Sequence, residues 1–453
     1  MSFKVTVVYD FDAVADGELT VRAGDVVTIT DSNVGQGWVY GIDDSGREGM
    51  IPEGYLEQIP GGFQQVQRKD TWDDEWDSDE EFKQESVSNA QSENMCDYLK
   101  GVTRIDATRD FIVIEELSDC FFQWQFKEEA FTCSIGAPRK SSKFGGMKSF
   151  MAYPVTPSFS NIQVSRRYKH FDWLHERLVK KFGSIIPIPP LPEKQAVGRF
   201  EEDLIEHRRI QLQSFADRIC RHPVLSTSEV WKHFITETDD KKWTQGKRKV
   251  EADSEVGISF LNTIQAPAIA DRTEQNIDNK VAHFNKDITK MQGAIKHMRS
   301  FIAEQKLRLK NLHNKEYKEF GKAFSQLGAT MAEDAPCFNS IGSCYEEMSS
   351  LWEEQSAKEW EPLQHLMHDY KGITAGWQTV LSVQGNLKEK QKEIEKCEDT
   401  EKINQSFEKV NKNRVGVEAE RSFFKQELGV DMTQAGQVYF LTFHLLLRIN
   451  LFS

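Results

Sequence analysis

Residues 166–194 read RRYKHFDWLHERLVKKFGSIIPIPPLPEK, and 198–215 read GRFEEDLIEHRRIQLQSF. In the first stretch Phe171, Leu174, Leu178 and Phe182 recur at intervals of three and four, which puts them on one face of a helix. The run IPIPPLP cannot prolong that helix, because proline lacks an N–H and forces the residue before it out of the helical conformation. A loop therefore separates it from a second helical pattern over Phe200 to Cys220. Upstream, from Phe111, the chain is strand-rich, so 106–238 read as one α+β domain.

The pattern changes on both sides. From Lys4 to Ile59 short β-type runs (Val5 to Tyr9, Leu19 to Val21, Val26 to Thr30, Trp38 to Ile42, Gly49 to Ile51) alternate with Gly, Asp and Asn turns, and 1–60 read as a small all-β barrel. Between 61 and 105 apolar periodicity disappears under Asp, Glu, Ser and Gln, the composition of a disordered acidic linker. Residues 239–270 form a connector that opens on KKWTQGKRK and runs into a mixed apolar stretch, Val250 to Ile264. Cations beside apolar residues suit an anionic membrane surface and equally suit a segment packed between two domains. From 271 onward Ile277, Val281, Phe284, Ile288, Met291, Ile295, Met298 and Ile302 alternate by four and three, a coiled-coil-type seam. The spacing returns at Tyr317, Phe320, Phe324, Leu327 and Met331, and further helices are predicted over Ile341 to Leu387 and Ile394 to Leu428.

Composition limits the function. The net charge of −14 over 453 residues argues against general nucleic-acid binding, although a membrane responds to a local basic patch. The opening MSFKVTVVYDF alternates apolar and polar residues unlike a secretory signal, and the run Phe440 to Leu447 is much shorter than a bilayer span, so a cytoplasmic protein is expected. Seven scattered cysteines without a C-x-x-C pair fit reduced thiols; no metal or cofactor is expected. A Walker loop, G-x-S-x-G and H-E-x-x-H do not occur, and Cys220 and His222 in CRHP lack an evident third catalytic group, so the expectation is not an enzyme.

Several motifs resemble known modules. VVYDF (Tyr9, Phe11), ELTV, Gly24-Asp25, Gly37-Trp38 and IPEGY (Pro52, Tyr55) fall in the order of an SH3 domain. That resemblance implies aromatic ridges that grip a polyproline helix, with Asp16 and Glu18 pairing a ligand cation. RRYKHF and the helices around the proline loop resemble a PX domain. This implies that Arg167 binds the 3-phosphate of an inositol lipid, Tyr168 supports the ring, and Lys194 and Arg208 meet the remaining phosphates, with Lys169 on the same basic face. Guanidinium suits this chemistry because its fork matches phosphate oxygens two at a time. The acidic DTWDDEWDSDEEF, with Trp72, Trp76 and Phe82, resembles the stretch by which sorting nexin-9-type proteins contact clathrin and its adaptors. The connector, with Lys247, Arg248 and Lys249, resembles their basic yoke helix, and the C-terminal part resembles a BAR domain, an all-α helical dimerisation module.

The whole order, SH3, linker, PX, yoke, BAR, resembles the sorting nexin-9 subfamily. It implies a homodimeric peripheral adaptor on plasma, clathrin-coated and endosomal vesicle membranes that senses or generates curvature and recruits dynamin and actin-nucleation regulators in endocytosis. A soluble SH3 scaffold without curvature activity is the alternative. The proline loop keeps three readings: Ile185, Ile186, Ile188 and Leu191 dip into lipid or cap the core, or PPLPEK occupies the chain's own SH3 groove. In the last helix the apolar stripe fades after Phe424, Gly429 and Gly436 weaken it, and YFLTFHLLLRINLF resembles a substituted ending. An incomplete third helix and a weakened dimer are expected.

Overall fold

The computed structural model describes residues 3–7, 11, 13, 17–35, 38–52 and 56 of a first compact unit within Met1–Lys83. Of the second, Gln84–Ser453, it describes 95, 98–99, 111–118, 121–126, 129–143, 148–193, 202–309, 315–330, 335–355, 360–396 and 399–452. The backbone alone is described at 3–4, 31–35, 38, 52, 142–143, 148–149, 202–203, 271, 352–355 and 438–452.

In the first unit β1 (Phe3–Thr6), β2 (Val26–Gly35), β3 (Trp38–Asp43) and β4 (Glu48–Pro52) form an antiparallel sheet in sequence order. Alternation along the strands turns Val5, Val7, Val27, Ile29, Val39 and Ile51 into one buried core with Leu19, Val21 and Leu56. The β3–β4 turn is closed by Asp43, whose carboxylate accepts from the backbone N–H groups of Ser45 and Arg47 at 2.9 Å, while Gly46 takes the positive φ of 81° that the turn requires. The residues therefore fold as the β-barrel the alternation predicts.

In the second unit the strand-rich half divides into two sheets. One has the order β10-β9-β7, with β8 also on β9: β7 (Cys133–Ile135), β8 (Arg139–Lys143), β9 (Lys148–Pro157) and β10 (Val164–Arg167). Helices α1 (Tyr168–Phe182), α2 (Glu202–Arg221) and α3 (Glu229–Thr236) cover it. The other sheet joins β5 (Ile112–Ser118) and β6 (Phe121–Trp124) to β11 (Ile264–Gln265) of the connector, with Ile264 beside Ile112 in parallel register. The connector thus packs between domains. Its helix α4 (Asp240–Glu251) buries Trp243 against Trp173 of α1, and Phe260, Leu261 and Ile264 belong to the core, where the apolar stretch is unable to face lipid.

Helices α5 (Asp271–Arg308), α8 (Glu361–Ile394) and α9 (Thr400–Phe452) form an up-down-up bundle. The direction is fixed by paired contacts: Lys388 reaches Asp278 at 2.7 Å, Gln292 the Thr374 carbonyl at 3.1 Å, and Lys306 Gln364 at 3.0 Å. Seam residues Ile277, Val281, Phe284, Ile288, Ile295 and Ile302 are buried as the spacing predicts, whereas Met298 is exposed. Phe284, Trp377 and Phe424 interlock edge to face, with centroids 4.8–5.8 Å apart. Beyond them α6 (Glu316–Thr330) and α7 (Ala335–Gln355) form a separate helical hairpin. The third bundle helix runs unbroken through Gly429 and Gly436, although burial does fade beyond Phe424, where Val430 is 56% exposed. Met95, Tyr98 and Leu99, inside the segment read as linker, are helical and buried, and Lys409 of α9 donates to the Tyr98 carbonyl at 2.5 Å.

Candidate functional site

The pair Arg166-Arg167 ends β10, where alternation sends neighbours to opposite faces. Arg166 goes inward. Its guanidinium donates to the carbonyls of Phe234 (2.9 Å) and Glu237 (2.6 Å) and lies 4.2 Å from the centre of the Trp243 ring; burial pulls its pKa down to about 10, so it stays charged at neutral pH. It ties the sheet to α3 and α4. Arg167 is half-buried at the N-cap of α1, and its Nε donates to His170 Nε2 at 3.2 Å. The first turn of α1 carries no acidic residue, so the positive end of the helix dipole favours an anion at that place.

Tyr168 follows. Its hydroxyl donates to the Pro192 carbonyl at 2.5 Å, and burial pushes its pKa up to about 12. The Arg208 guanidinium lies 4.6 Å from the centre of the Tyr168 ring. The same cation lies beside Tyr153, whose hydroxyl is raised by burial and partly lowered by that charge. Arg208 and the Pro192 carbonyl thus both meet Tyr168, the first residue of α1, and Arg167 is the residue before it. Lys169 is half-buried on the same turn of α1, and Lys194 lies outside the described residues.

The loop itself is buried. Ile185 and Ile186 are fully enclosed and Ile188 is 6% exposed, while Pro187 and Pro190 sit against Gly376 and Gly372 of α8. Of its three sequence readings this favours the core for Ile185, Ile186 and Ile188; of PPLPEK, Pro190 and Leu191 are half-buried, Glu193 is exposed and Lys194 lies outside the described residues.

Of the barrel's groove residues, Phe11 is half-buried against the core and Glu18 bridges to Met50. Trp38 and Pro52 stand directly opposite each other in the β3–β4 register. Tyr9, Asp16 and Tyr55, and the linker residues Trp72, Trp76 and Phe82, lie outside the described residues. On α4, Lys247 is half-buried and leans on the Trp173 ring at 5.7 Å, Arg248 is exposed, and Lys249 meets Glu229 at 3.3 Å with both side chains exposed.

Sequence reasoning missed the charged junction between the α+β domain and the bundle. Arg218 of α2, 8% exposed, binds Asp369 of α8 at 3.0 Å and Asp431 of α9 at 2.8 Å, and Tyr370 donates to the same Asp431. His222 accepts at Nδ1 from the N–H groups of Val224 and Leu225, so its Nε2–H donates to Glu420, 3.0 Å away. Trp124 donates to the same Glu420 oxygen at 2.9 Å. His222 is thus structural, and Cys220 is a buried thiol whose pKa burial raises, the opposite of a nucleophile. Three further histidines meet nearby: His365 and His207 share a hydrogen bond at 2.8 Å, and His368 donates to the Leu191 carbonyl at 3.1 Å. Burial, reinforced by His207, Lys306 and His368, pulls His365 down to about 4, and burial lowers His207 as well.

The sequence matches known families in three successive blocks. Residues 7–57 match a model described as a variant SH3 domain, 154–238 a PX domain, and 239–443 the WASP-binding domain of sorting nexin protein. The chain is an SH3–PX–BAR sorting nexin. Sorting nexin lst-4 of Caenorhabditis elegans is 29% identical over 88% of this chain and 88% of its own length. Mouse sorting nexin-33 is 33% identical over 70% of this chain but only 57% of its own length, and mouse sorting nexin-18 is 35% identical over 60% and 46%. In fold the sorting nexin resembles a chain of the SNX-BAR Mvp1 tetramer, at a TM-score of 0.51, 17% identity, 70% of this chain and 98% of that one. Among the described residues no helix is long and apolar enough to cross a membrane, and the PX and BAR domains indicate peripheral membrane association.

Proposed function

We propose that this sorting nexin is a peripheral membrane adaptor that binds phosphoinositides through Arg167, Tyr168, Lys169, Lys194 and Arg208 and senses or generates curvature as a homodimer of its helical domain. The observation that carries the reading is the Arg208–Tyr168–Pro192 stack beside Arg167: a flat, braced ring flanked by guanidinium groups and a helix N-terminus suits a phosphorylated ring. Exposed cations of α4 add attraction to an anionic surface. The SH3 domain recruits proline-rich proteins of the dynamin and actin-nucleation classes, and the acidic linker, through Trp72, Trp76 and Phe82, recruits clathrin and its adaptors in endocytosis and vesicle trafficking. The match to a WASP-binding model supports the actin arm. The sites of action are the cytoplasmic faces of the plasma, clathrin-coated and endosomal membranes.

Co-sedimentation with vesicles, with and without phosphoinositide, tests the site. Arg167→Ala should reduce binding at least about tenfold, because a charge-assisted phosphate contact is worth roughly 1.5–3 kcal/mol, with the fold retained. Electron microscopy of the same mixtures tests curvature: tubules are expected, and smooth vesicles carrying bound protein would leave a lipid-binding SH3 scaffold instead.

A further inference from the structure

The proline loop is held from two sides. On one, the Tyr168 hydroxyl hangs on the Pro192 carbonyl. On the other, α8 of the BAR domain grips the loop on both sides of that point. His368 donates to the carbonyl of Leu191, the residue before Pro192. A carbonyl only accepts, so the proton sits on His368 Nε2. Upstream, Gly372 and Gly376, four residues apart on one face of α8, receive the rings of Pro190 and Pro187; an added Cβ would come within 2.5 and 2.9 Å of them. Downstream, Glu193 pairs with Lys371 at 3.7 Å and with Arg299 at 3.9 Å. Pro187, Pro190, Leu191 and Pro192 are thus each seated against α8 or Tyr168.

We infer that α8 of the BAR domain is a working part of the phosphoinositide site: His368, through Leu191 and Pro192, positions the Tyr168 ring, so that headgroup affinity depends on how the PX domain is seated on the helices. His368 is a positioning residue, since a backbone carbonyl and a tyrosine stand between it and the site. The second limb of the junction acts in the same direction, because His365, one turn earlier on α8, hydrogen-bonds His207, the neighbour of Arg208. A BAR domain whose α8 bends or slides would thereby change the geometry of the lipid site without touching the lipid, a coupling with two named contacts and one shared element.

The inference rests on the site proposed above, and the test separates the two. The full chain is titrated calorimetrically with the soluble headgroups inositol 1,3-bisphosphate and inositol 1,4,5-trisphosphate, which are monovalent, so dimer avidity does not enter. His368→Leu, which takes away the donor to the half-buried Leu191 carbonyl, should weaken headgroup binding about fivefold to tenfold, and His368→Gln, which keeps a donor at that reach, should stay within about twofold of the parent. Gly372→Ala leaves the hydrogen bond alone and displaces Pro190; it too should weaken binding, and it serves if His368→Leu fails to fold. Should Arg167→Ala abolish binding while His368→Leu and Gly372→Ala bind like the parent, the positioning role is wrong and the site stands. Equal losses in His368→Gln and His368→Leu would also overturn it. Parent-like binding by Arg167→Ala would remove the site itself.

Discussion

The two ends of the helical domain are built differently. Near the PX domain α5, α8 and α9 enclose Phe284, Trp377 and Phe424 and bury a set of charges: Arg218 with Asp369 and Asp431, Arg414 with Asp278 at 2.9 Å, and Glu418 with Arg421. In the distal hairpin α6 and α7 pack chiefly on each other among the described residues. There Gly321, Gly328 and Gly342 let the two backbones meet, and Phe324 stacks on Tyr345 with centroids 5.7 Å apart, while Phe320, Leu327 and Leu351 remain exposed. At one end buried charges are paired, so that removing one partner leaves the other uncompensated. The other depends on close approach of small residues and leaves apolar surface open. Damage at the first end should therefore spread across domains, and damage at the second should stay local.

The sharpest break is Arg218→Ala. It removes the guanidinium from buried Asp369 and leaves Asp431 only the more distant Arg221, 3.7 Å away, so stability in urea should fall by about 3 kcal/mol, with the PX and BAR transitions separating. A single transition near the parent midpoint would show that the junction is not what couples the domains. Gly342→Ala comes next. Its methyl would meet Ser325 Oγ at 2.5 Å and the Gly321 carbonyl at 2.8 Å, a cost of roughly 1–3 kcal/mol confined to the hairpin. Hydrogen exchange should quicken in α6 and α7 alone; quickening in α8 and α9 as well would erase the contrast.

Acid should act on the proximal end. His365 has its pKa depressed from 6.5 to about 4, so between those values the unfolded chain takes up a proton that the folded junction refuses. Its contribution is intact above about pH 6.5 and is lost as the pH falls towards 4, on the order of 1–2 kcal/mol for a site partly open to water. His365→Leu should flatten that part of the stability profile. The smallest effect belongs to Leu351→Gln in the distal hairpin: at 52% exposure it should change stability by no more than about 0.5 kcal/mol.

The modules were legible in the sequence because each announces itself within a few dozen residues. The barrel has its alternating strands and turns, the PX domain has RRY with a helix and a proline run, and the seam has Ile277 to Ile302 at a fixed spacing. Local patterns do not reveal partners that are far apart. His222 and Glu420 are 198 positions distant, and Arg218 and Asp431 are 213, so nothing near either residue signals the other. The proline loop was ambiguous for the same reason: its apolar residues fit several environments, and only Gly372 and Gly376, on a helix almost two hundred positions away, decide among them. Met95 to Leu99 were lost in the acidic linker because two or three apolar residues give no periodicity. Arg166 and Arg167 are neighbours of one type, and the pleat of β10 sends Arg166 to the interior, a role that no local pattern signals.

One carboxylate, Glu420, accepts from Trp124 of the small connector sheet and from His222 of the PX domain while belonging to a BAR helix. On the proposed function, a lipid site on the PX domain and one on the helices, joined in this way, would act as a single stiff bivalent ligand. Tumbling and orientation are surrendered once, at the first encounter, and the second contact forms with almost no further loss of freedom. Stiffness also forbids compromise: a surface whose shape does not let both faces land together yields only the weaker of the two contacts. A flexible tether would bind flat and curved bilayers alike, whereas a joint fixed by a shared buried acid makes the shape of the membrane part of what is recognised.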